Sequence, residues 1–280
     1  METAMDWQWL RRTVCSGLSA LCLAGAGFGL SACGSNPAVP SAQDVSDAAN
    51  AQVEEGEARR RARIRLELAS NYFDQGKTVV ALDEVRQVLV ADPSFAEAYN
   101  LRGLIYMRLD DDRQAEEAFK RALALSPRDS NVLHNYGWML CQRKRYSEAS
   151  EAFNQALNNV LYGDKAKTYM AQGLCQARAG QKAEAERNLS KAFELDAANP
   201  ITSFNLSVLL YQRADLTRAQ FYIRRLNNSE YANAESLWLG IRVERRLGDR
   251  VAMQQLAEQL KKRFPQSREL MSYERGAFDE

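Results

Sequence analysis

The chain has 280 residues, of which 46% are hydrophobic and 26% charged, so it is long enough to bury a sizeable core. Its 37 Lys and Arg residues balance 36 Asp and Glu residues, which leaves a formal net charge of +1. Nothing in this balance favours binding to nucleic acid or to an acidic substrate, and a nucleic-acid role is therefore not expected.

The N-terminal segment has the pattern of an export signal. Residues 1–12 are polar and aromatic and end in Arg11 and Arg12, and residues 14–30 are apolar or small and carry no charge. A charged region followed by an apolar region is typical of a secretory signal, although a transmembrane anchor is the alternative that length alone leaves open. The arginine pair lacks the rest of a twin-arginine pattern, so we expect general secretion.

The residues Leu30 to Cys33 read LSAC and resemble the lipobox of bacterial lipoproteins. The resemblance implies a signal peptide of residues 1–32, cleavage before Cys33, and lipidation of its thiol and its new amine. Acyl chains at both positions would meet the requirement of two signals for stable membrane attachment. Since Gly34 follows in place of the aspartate that retains some lipoproteins in the inner membrane, an outer-membrane location facing the periplasm is implied. An incidental cysteine is the alternative.

Residues 33–57 follow the lipobox and contain few large apolar side chains. Such a segment cannot bury enough surface to offset its ordering entropy, so we predict a flexible linker with a reach of about 25 to 30 Å. The basic run from Arg59 to Arg65 that comes next is interpreted as a solvated helix face; contact with anionic head groups is the alternative.

Small residues recur along the rest of the chain at a regular spacing. Two series step by 34, 34, 36, 34 and 33 residues: Ala69, Gly103, Gly137, Gly173, Ser207 and Gly240, and Ala81, Ala115, Ala149, Ala185, Ala219 and Ala252. This spacing resembles the tetratricopeptide repeat (TPR), a helix-turn-helix of about 34 residues. Because glycine within a helix costs about 1 kcal/mol relative to alanine, its recurrence indicates close packing of the two helices in each repeat.

The predicted fold is therefore all-α, a right-handed superhelical TPR solenoid. We predict six repeats and a C-terminal capping segment over residues 267–280. The repeats span residues 62–95, 96–129, 130–165, 166–199, 200–232 and 233–266. The third repeat has two extra residues near Leu161, which should lengthen one connection.

The sequence does not supply the side chains that catalysis would need. It has one histidine, His134, no glycine-rich phosphate loop and no Cys or His cluster of the zinc type. We therefore expect no enzymatic activity, no metal, no cofactor and no small-molecule substrate. Cys141 and Cys175 lie in neighbouring first helices of the repeats, where a disulfide is conceivable, but two small buried thiols are favoured because similar helix sites hold alanine or leucine.

In TPR solenoids the first helices line a concave groove, and their equivalents here are mostly apolar. The candidate partner-binding residues are Leu66, Phe73, Asn100, Leu104, Met107, Asn131, His134, Trp138, Met170, Phe204 and Tyr211. Further apolar positions in the same pattern are Cys141, Leu174, Ile201, Val208, Leu237 and Ile241. A groove of this kind suits an apolar or amphipathic peptide segment, whereas the clamp that holds a terminal carboxylate is disfavoured. The alternative is that these side chains pack against one another.

Four segments resemble the type IV pilus biogenesis lipoproteins called PilF or PilW. They are HNYGWMLCQRKRYSEA at residues 134–149, NVLYGDKAK at 159–167, SLWLGIRVERRLGD at 236–249 and LKKRFPQS at 260–267. The resemblance implies a pilotin that helps the pilus secretin reach the outer membrane and form its ring. The first repeat departs from the pattern, with Arg65 where an aromatic residue is usual. A scaffold of envelope enzymes such as those that build peptidoglycan, or an accessory of outer-membrane protein insertion, is the alternative.

Overall fold

The computed structural model describes the backbone of residues 42–278 and the side chains of residues 56–278. This part of the chain is built of α-helices, without a strand. The helices are α1 (Ala42–Asp74), α2 (Thr78–Ala91), α3 (Ala96–Arg108), α4 (Asp112–Leu125), α5 (Ser130–Gln142), α6 (Tyr146–Leu157), α7 (Lys165–Arg178), α8 (Lys182–Leu195), α9 (Pro200–Gln212), α10 (Leu216–Asn227), α11 (Ala234–Leu247), α12 (Arg250–Arg263) and α13 (Arg268–Glu274). The predicted signal peptide and Cys33 lie outside the described residues.

The helices form six consecutive pairs, α1 with α2 through α11 with α12, followed by the short helix α13. This arrangement confirms the predicted all-α tetratricopeptide fold. The described residues divide into two compact units, the first ending at Leu101 and the second beginning at Arg102, and the division falls within α3. No helix between residues 42 and 278 is long and apolar enough to cross a bilayer.

In the first unit, α1 begins at Ala42, so the prediction of a flexible linker over residues 33–57 is wrong from residue 42 onward. The physical reason is that this segment is rich in alanine, glutamate and glutamine, which favour a helix even where few large apolar side chains are available. Arg65, the departure from the repeat pattern, links the two helices of this unit. Its guanidinium donates to Glu84 and to Gln87 of α2, both at 2.6 Å.

The second unit shows why small residues recur in the first helix of each pair. A Cβ atom added at Gly173 would lie 2.7 Å from Cγ of Leu189 and 3.1 Å from the carbonyl oxygen of Ala185 on α8. One added at Gly103 would lie 2.6 Å from the ring of Phe119 on α4. These separations are shorter than ordinary van der Waals contact, so the paired helices approach as closely as the sequence spacing predicts.

Polar side chains fix where the helices of the second unit begin. Asp129 accepts hydrogen bonds from the backbone N–H groups of Asn131 and Val132 at the start of α5. Asn199 caps α9 in the same way, with Pro200 in the first turn, where a missing N–H costs nothing. Each cap satisfies a backbone donor that the helix itself cannot, and so sets the register of the helix that lines the candidate site.

Candidate partner-binding face

The first helices of the second unit present a common surface, which we call the first-helix face and define by the residues of α5, α7, α9 and α11. Four of the predicted groove residues lie on this face half-buried, with part of each side chain open to solvent: Trp138, Met170, Phe204 and Tyr211. Asn131, at the start of α5, is exposed, and Leu104 on α3 is half-buried. These side chains can contact a partner without any rearrangement.

Two other predicted groove residues of the second unit, Met107 and His134, are buried, with 8% and 6% of their surface exposed. The same holds for Cys141, Leu174, Leu237 and Ile241, whereas Ile201 and Val208 are half-buried. The buried residues support the face from beneath, and their contact with a partner stays a prediction. Close helix packing covers them, since the glycines beside them let the second helices approach.

In the first unit, the predicted residues Leu66 and Asn100 are half-buried and Phe73 is buried at 7% exposure. Phe73 lies in the last turn of α1, next to the turn that leads into α2. It therefore belongs to the core of this unit, and its role in binding stays a prediction.

Arginine side chains cover the aromatic rings of the first-helix face. The guanidinium of Arg178, on α7, lies 5.2 Å from the ring centroid of Trp138 on α5. Arg242 and Arg246, on α11, lie 5.0 and 4.9 Å from the ring centroid of Tyr211 on α9. Cation–π contacts of this length are attractive and hold the charged groups at the surface of the rings. The face is thus both aromatic and basic, a property that the sequence reasoning missed.

His134 lies below this face in a buried chain of hydrogen bonds. Its Nδ1 atom is 2.9 Å from the hydroxyl of Thr168 on α7, and that hydroxyl is 3.0 Å from the hydroxyl of Tyr162. Burial lowers the pKa of the imidazole from its ordinary 6.5 to about 3, with a further contribution from the charge of Lys167. The ring is therefore neutral at physiological pH and serves as a structural hydrogen-bonding group.

The depressed pKa of His134 predicts a pH-dependent stability. Unfolded chains take up a proton on this histidine near pH 6.5, whereas the folded protein does not until about pH 3, so the stability present above pH 6.5 is lost as the pH falls between these values. We expect the free energy of unfolding to decrease by about 2 kcal/mol from pH 7 to pH 5 through this group. Urea denaturation at several pH values measures this change in the free energy of unfolding.

The control for this measurement is His134→Gln, which keeps a hydrogen-bonding group but does not titrate in that range. The chain contains one histidine, so no other side chain has an ordinary pKa near 6.5. The variant should lose less stability than the wild type between pH 7 and pH 5. If the free energy of unfolding fell equally with pH in both proteins, the pH dependence would not come from His134.

The connection between α6 and α7 is the predicted insertion, and it ends in an apolar tip. Val160 and Leu161 are 85% and 93% exposed. Asn159 holds the connection in place, because its side chain accepts from the backbone N–H of Leu161 and donates to the hydroxyl of Ser130 on α5. Together with the bond from Tyr162 to Thr168, these contacts join the insertion to the first-helix face.

Cys141 and Cys175 form a disulfide that joins α5 to α7, with a Cα–Cα distance of 5.8 Å. The expectation of two buried thiols is therefore wrong. Both residues are almost fully buried, at 1% and 3% exposure, so the comparison with alanine and leucine at similar sites gave the correct burial. It missed the bond because sequence spacing does not show that the two side chains point at each other between the first helices of neighbouring repeats.

A buried ion pair links α10 to α11 behind the face. The carboxylate of Glu244 is fully buried and accepts from Nε and Nη2 of Arg224 at 2.7 and 3.0 Å. The side-chain amide of Gln220 donates to the same carboxylate at 2.7 Å. Three donors satisfy this buried charge, which would otherwise oppose folding.

Comparison with known proteins gives relatives of the same architecture. The family described as tetratricopeptide repeat matches residues 94–161. The type IV pilus assembly protein PilF of Pseudomonas aeruginosa is 29% identical over 209 residues, which cover 75% of this chain and 83% of that protein.

Solved structures agree with the sequence match. The structure of Pseudomonas aeruginosa PilF superposes with a TM-score of 0.71 at 28% identity, covering 79% of this chain and 99% of that one. The structure of PilW, described as a widely conserved type IV pilus biogenesis factor, superposes with a TM-score of 0.69 at 28% identity, covering 76% and 97%. The similarity thus extends over nearly the whole of both known chains.

Proposed function

This chain is a tetratricopeptide-repeat protein similar in sequence and fold to the type IV pilus proteins PilF and PilW, and from that premise we propose that it acts in type IV pilus biogenesis. The observation that carries the proposal is the extent of the match, which covers 99% of the PilF structure. Similarity confined to the repeat positions of one or two repeats would support the fold alone. The finer proposal is that the protein is a pilotin, an assembly factor for the pilus secretin.

The proposed mechanism has two parts. Lipid attached at Cys33 would anchor the protein to the outer membrane on its periplasmic side. The half-buried apolar side chains of the first-helix face, among them the large aromatic side chain of Trp138, would bind a segment of an unassembled secretin subunit. Large aromatic side chains that are partly open to solvent are the residues that contribute most to protein binding when a partner covers them.

Secretin assembly in cells tests this proposal. The strains carry the wild-type chain, a deletion, Cys33→Ala or Trp138→Ala, and heat-resistant secretin multimers are scored in separated inner and outer membranes. We expect the deletion to lose the multimer, Cys33→Ala to mislocalise it, and Trp138→Ala to reduce its amount.

A matched control for the binding variant is Phe221→Ala. Phe221 is also a large aromatic residue and is 57% exposed, but it lies on the second helix α10, outside the first-helix face. This variant should assemble multimers at the wild-type level. Normal multimers in the outer membrane of every strain would reject the pilotin proposal, and copurification with a peptidoglycan synthase or hydrolase would then favour an envelope-enzyme scaffold.

A further inference from the structure

The charged residues of the second unit are unevenly divided between the two sets of helices. The first helices α5, α7 and α9 contain no acidic residue. Helix α11 has two, of which Glu244 is buried in its pair with Arg224 and Glu235 lies in the first turn, about two turns before Arg242. Basic residues, in contrast, reach the surface on α7 and α11. The first-helix face is therefore positively charged although the chain as a whole is nearly neutral.

The arginines of this face differ from those of the second helices in their partners. Arg187, on α8, and Arg218, on α10, are held by carboxylates of their own unit. Within the part of the chain that the structure describes, Arg178, Arg242 and Arg246 form no ion pair, and their contacts are the aromatic rings and, for Arg246, the backbone oxygen of Tyr211.

The geometry of these arginines leaves them able to bind a carboxylate. A guanidinium that lies against a ring uses its flat face for that contact, while its N–H groups point outward in the plane and remain available as donors. The Nε atom of Arg242 is buried without a hydrogen-bond partner, but the side chain as a whole is only half-buried, so its terminal Nη groups are the donors that a carboxylate can reach.

We propose that the first-helix face recognises an acidic amphipathic segment of its partner protein. Apolar side chains of the segment lie against Trp138 and Tyr211 and the residues between them, and its Asp or Glu side chains accept hydrogen bonds from Arg178, Arg242 and Arg246. The inference rests on the proposed function for the identity of the partner as a secretin subunit, and it adds the chemistry by which that subunit is selected.

This mode differs from capture of a terminal carboxylate. The arginines lie at two separate places on the face: Arg178 of α7 lies against Trp138 of α5, and Arg242 and Arg246 of α11 lie against Tyr211 of α9. Charges spread along a face in this way match carboxylates spread along a segment, and a single chain end cannot satisfy them. Binding of the partner segment should therefore not require that the segment end in a free C-terminus.

Binding of three short fluorescent peptides tests the inference by anisotropy. The peptides share the same Leu and Phe positions and have blocked ends, and their polar positions are all Glu, all Gln or all Lys. The protein is the chain as cells process it, kept in mild detergent, with detergent alone as the blank. We expect the Glu peptide to bind about tenfold more tightly than the Gln peptide at low salt, and the difference to shrink at high salt.

Variants of the arginines then show which side chains cause the preference for the Glu peptide. The triple variant Arg178→Gln, Arg242→Gln and Arg246→Gln should bind the Glu and Gln peptides equally, whereas Arg178→Gln with Arg246→Gln should keep the part of the preference that Arg242 supplies. Arg178→Lys with Arg246→Lys keeps the charge and should keep part of the preference. Arg187→Gln on α8 is the matched control and should behave as the wild type.

The inference is overturned if the Glu and Gln peptides bind the wild type equally, if the Lys peptide binds best, or if none of the three binds. These outcomes are distinct from failure of the proposed function. Selection of the Glu peptide together with normal secretin multimers in the deletion strain would keep the inference and reject the pilotin proposal. Loss of multimers in the deletion strain, together with equal binding of the Glu and Gln peptides, would keep the pilotin proposal and reject the inference.

Discussion

Reduction of the disulfide between Cys141 and Cys175 should lower the free energy of unfolding by about 3 to 4 kcal/mol. The bond joins residues separated by 34 positions, so it restricts the unfolded chain over the length of one repeat. Urea denaturation with and without a reductant measures the effect as a shift of the midpoint. Hydrogen exchange should increase most in α5 to α8, because the crosslink joins the repeats to which these helices belong.

The double variant Cys141→Ala with Cys175→Ala separates this effect from other actions of the reductant. Its midpoint should be close to that of the reduced wild type and should not respond to the reductant. Both positions are buried, and alanine differs from cysteine only in lacking the sulfur atom, so little packing is lost. Equal midpoints for oxidised and reduced wild type would show that the crosslink does not contribute to stability.

Replacement of Arg224 by alanine should have the second largest effect. Glu244 is fully buried, and Arg224 supplies two of its three hydrogen bonds. Loss of one partner of a buried pair costs about 3 to 5 kcal/mol, but Arg224 is half exposed and water reaches the vacated site, so we expect about 2 to 3 kcal/mol. The measurement is the free energy of unfolding by urea at neutral pH.

Two variants control for other consequences of this change. Arg187→Ala removes an exposed arginine whose partner Glu184 is also exposed, and it should leave the free energy of unfolding nearly unchanged because solvent screens such a pair. Adding Glu244→Gln to Arg224→Ala removes the uncompensated charge and should restore part of the stability. If Arg224→Ala and Arg187→Ala destabilise the protein equally, the buried carboxylate does not depend on Arg224.

The fold could be predicted from the sequence because one physical requirement recurs along the chain. Close approach of paired helices needs a small residue at a fixed place, and the contacts of Gly103 and Gly173 show that requirement directly. The same pattern could not distinguish an exposed position from a covered one. Trp138 and Met107 both follow the first-helix pattern, yet the first is half-buried and the second buried, since the depth of a side chain depends on its neighbours in other repeats.

The remaining site features depend on contacts between helices that are distant in sequence. The disulfide and the arginines over Trp138 and Tyr211 each join one first helix to the next. The absence of acidic residues from α5, α7 and α9 was nevertheless visible in the sequence and would have revealed the basic character of the face. The lack of large apolar residues over residues 33–57 predicts a linker, whereas from Ala42 onward the helix propensity of alanine, glutamate and glutamine favours α1.

The short helix α13 has a consequence for self-association. A repeat array with an open end presents a bare apolar surface that fits the start of another copy, and such head-to-tail contacts propagate into filaments. Here Leu270 of α13 joins the core of α11 and α12, and Phe278 stacks on Trp238 with ring centroids 5.4 Å apart. These contacts cover apolar surface of the last helix pair, which leaves less of it for a second copy of the chain to bind.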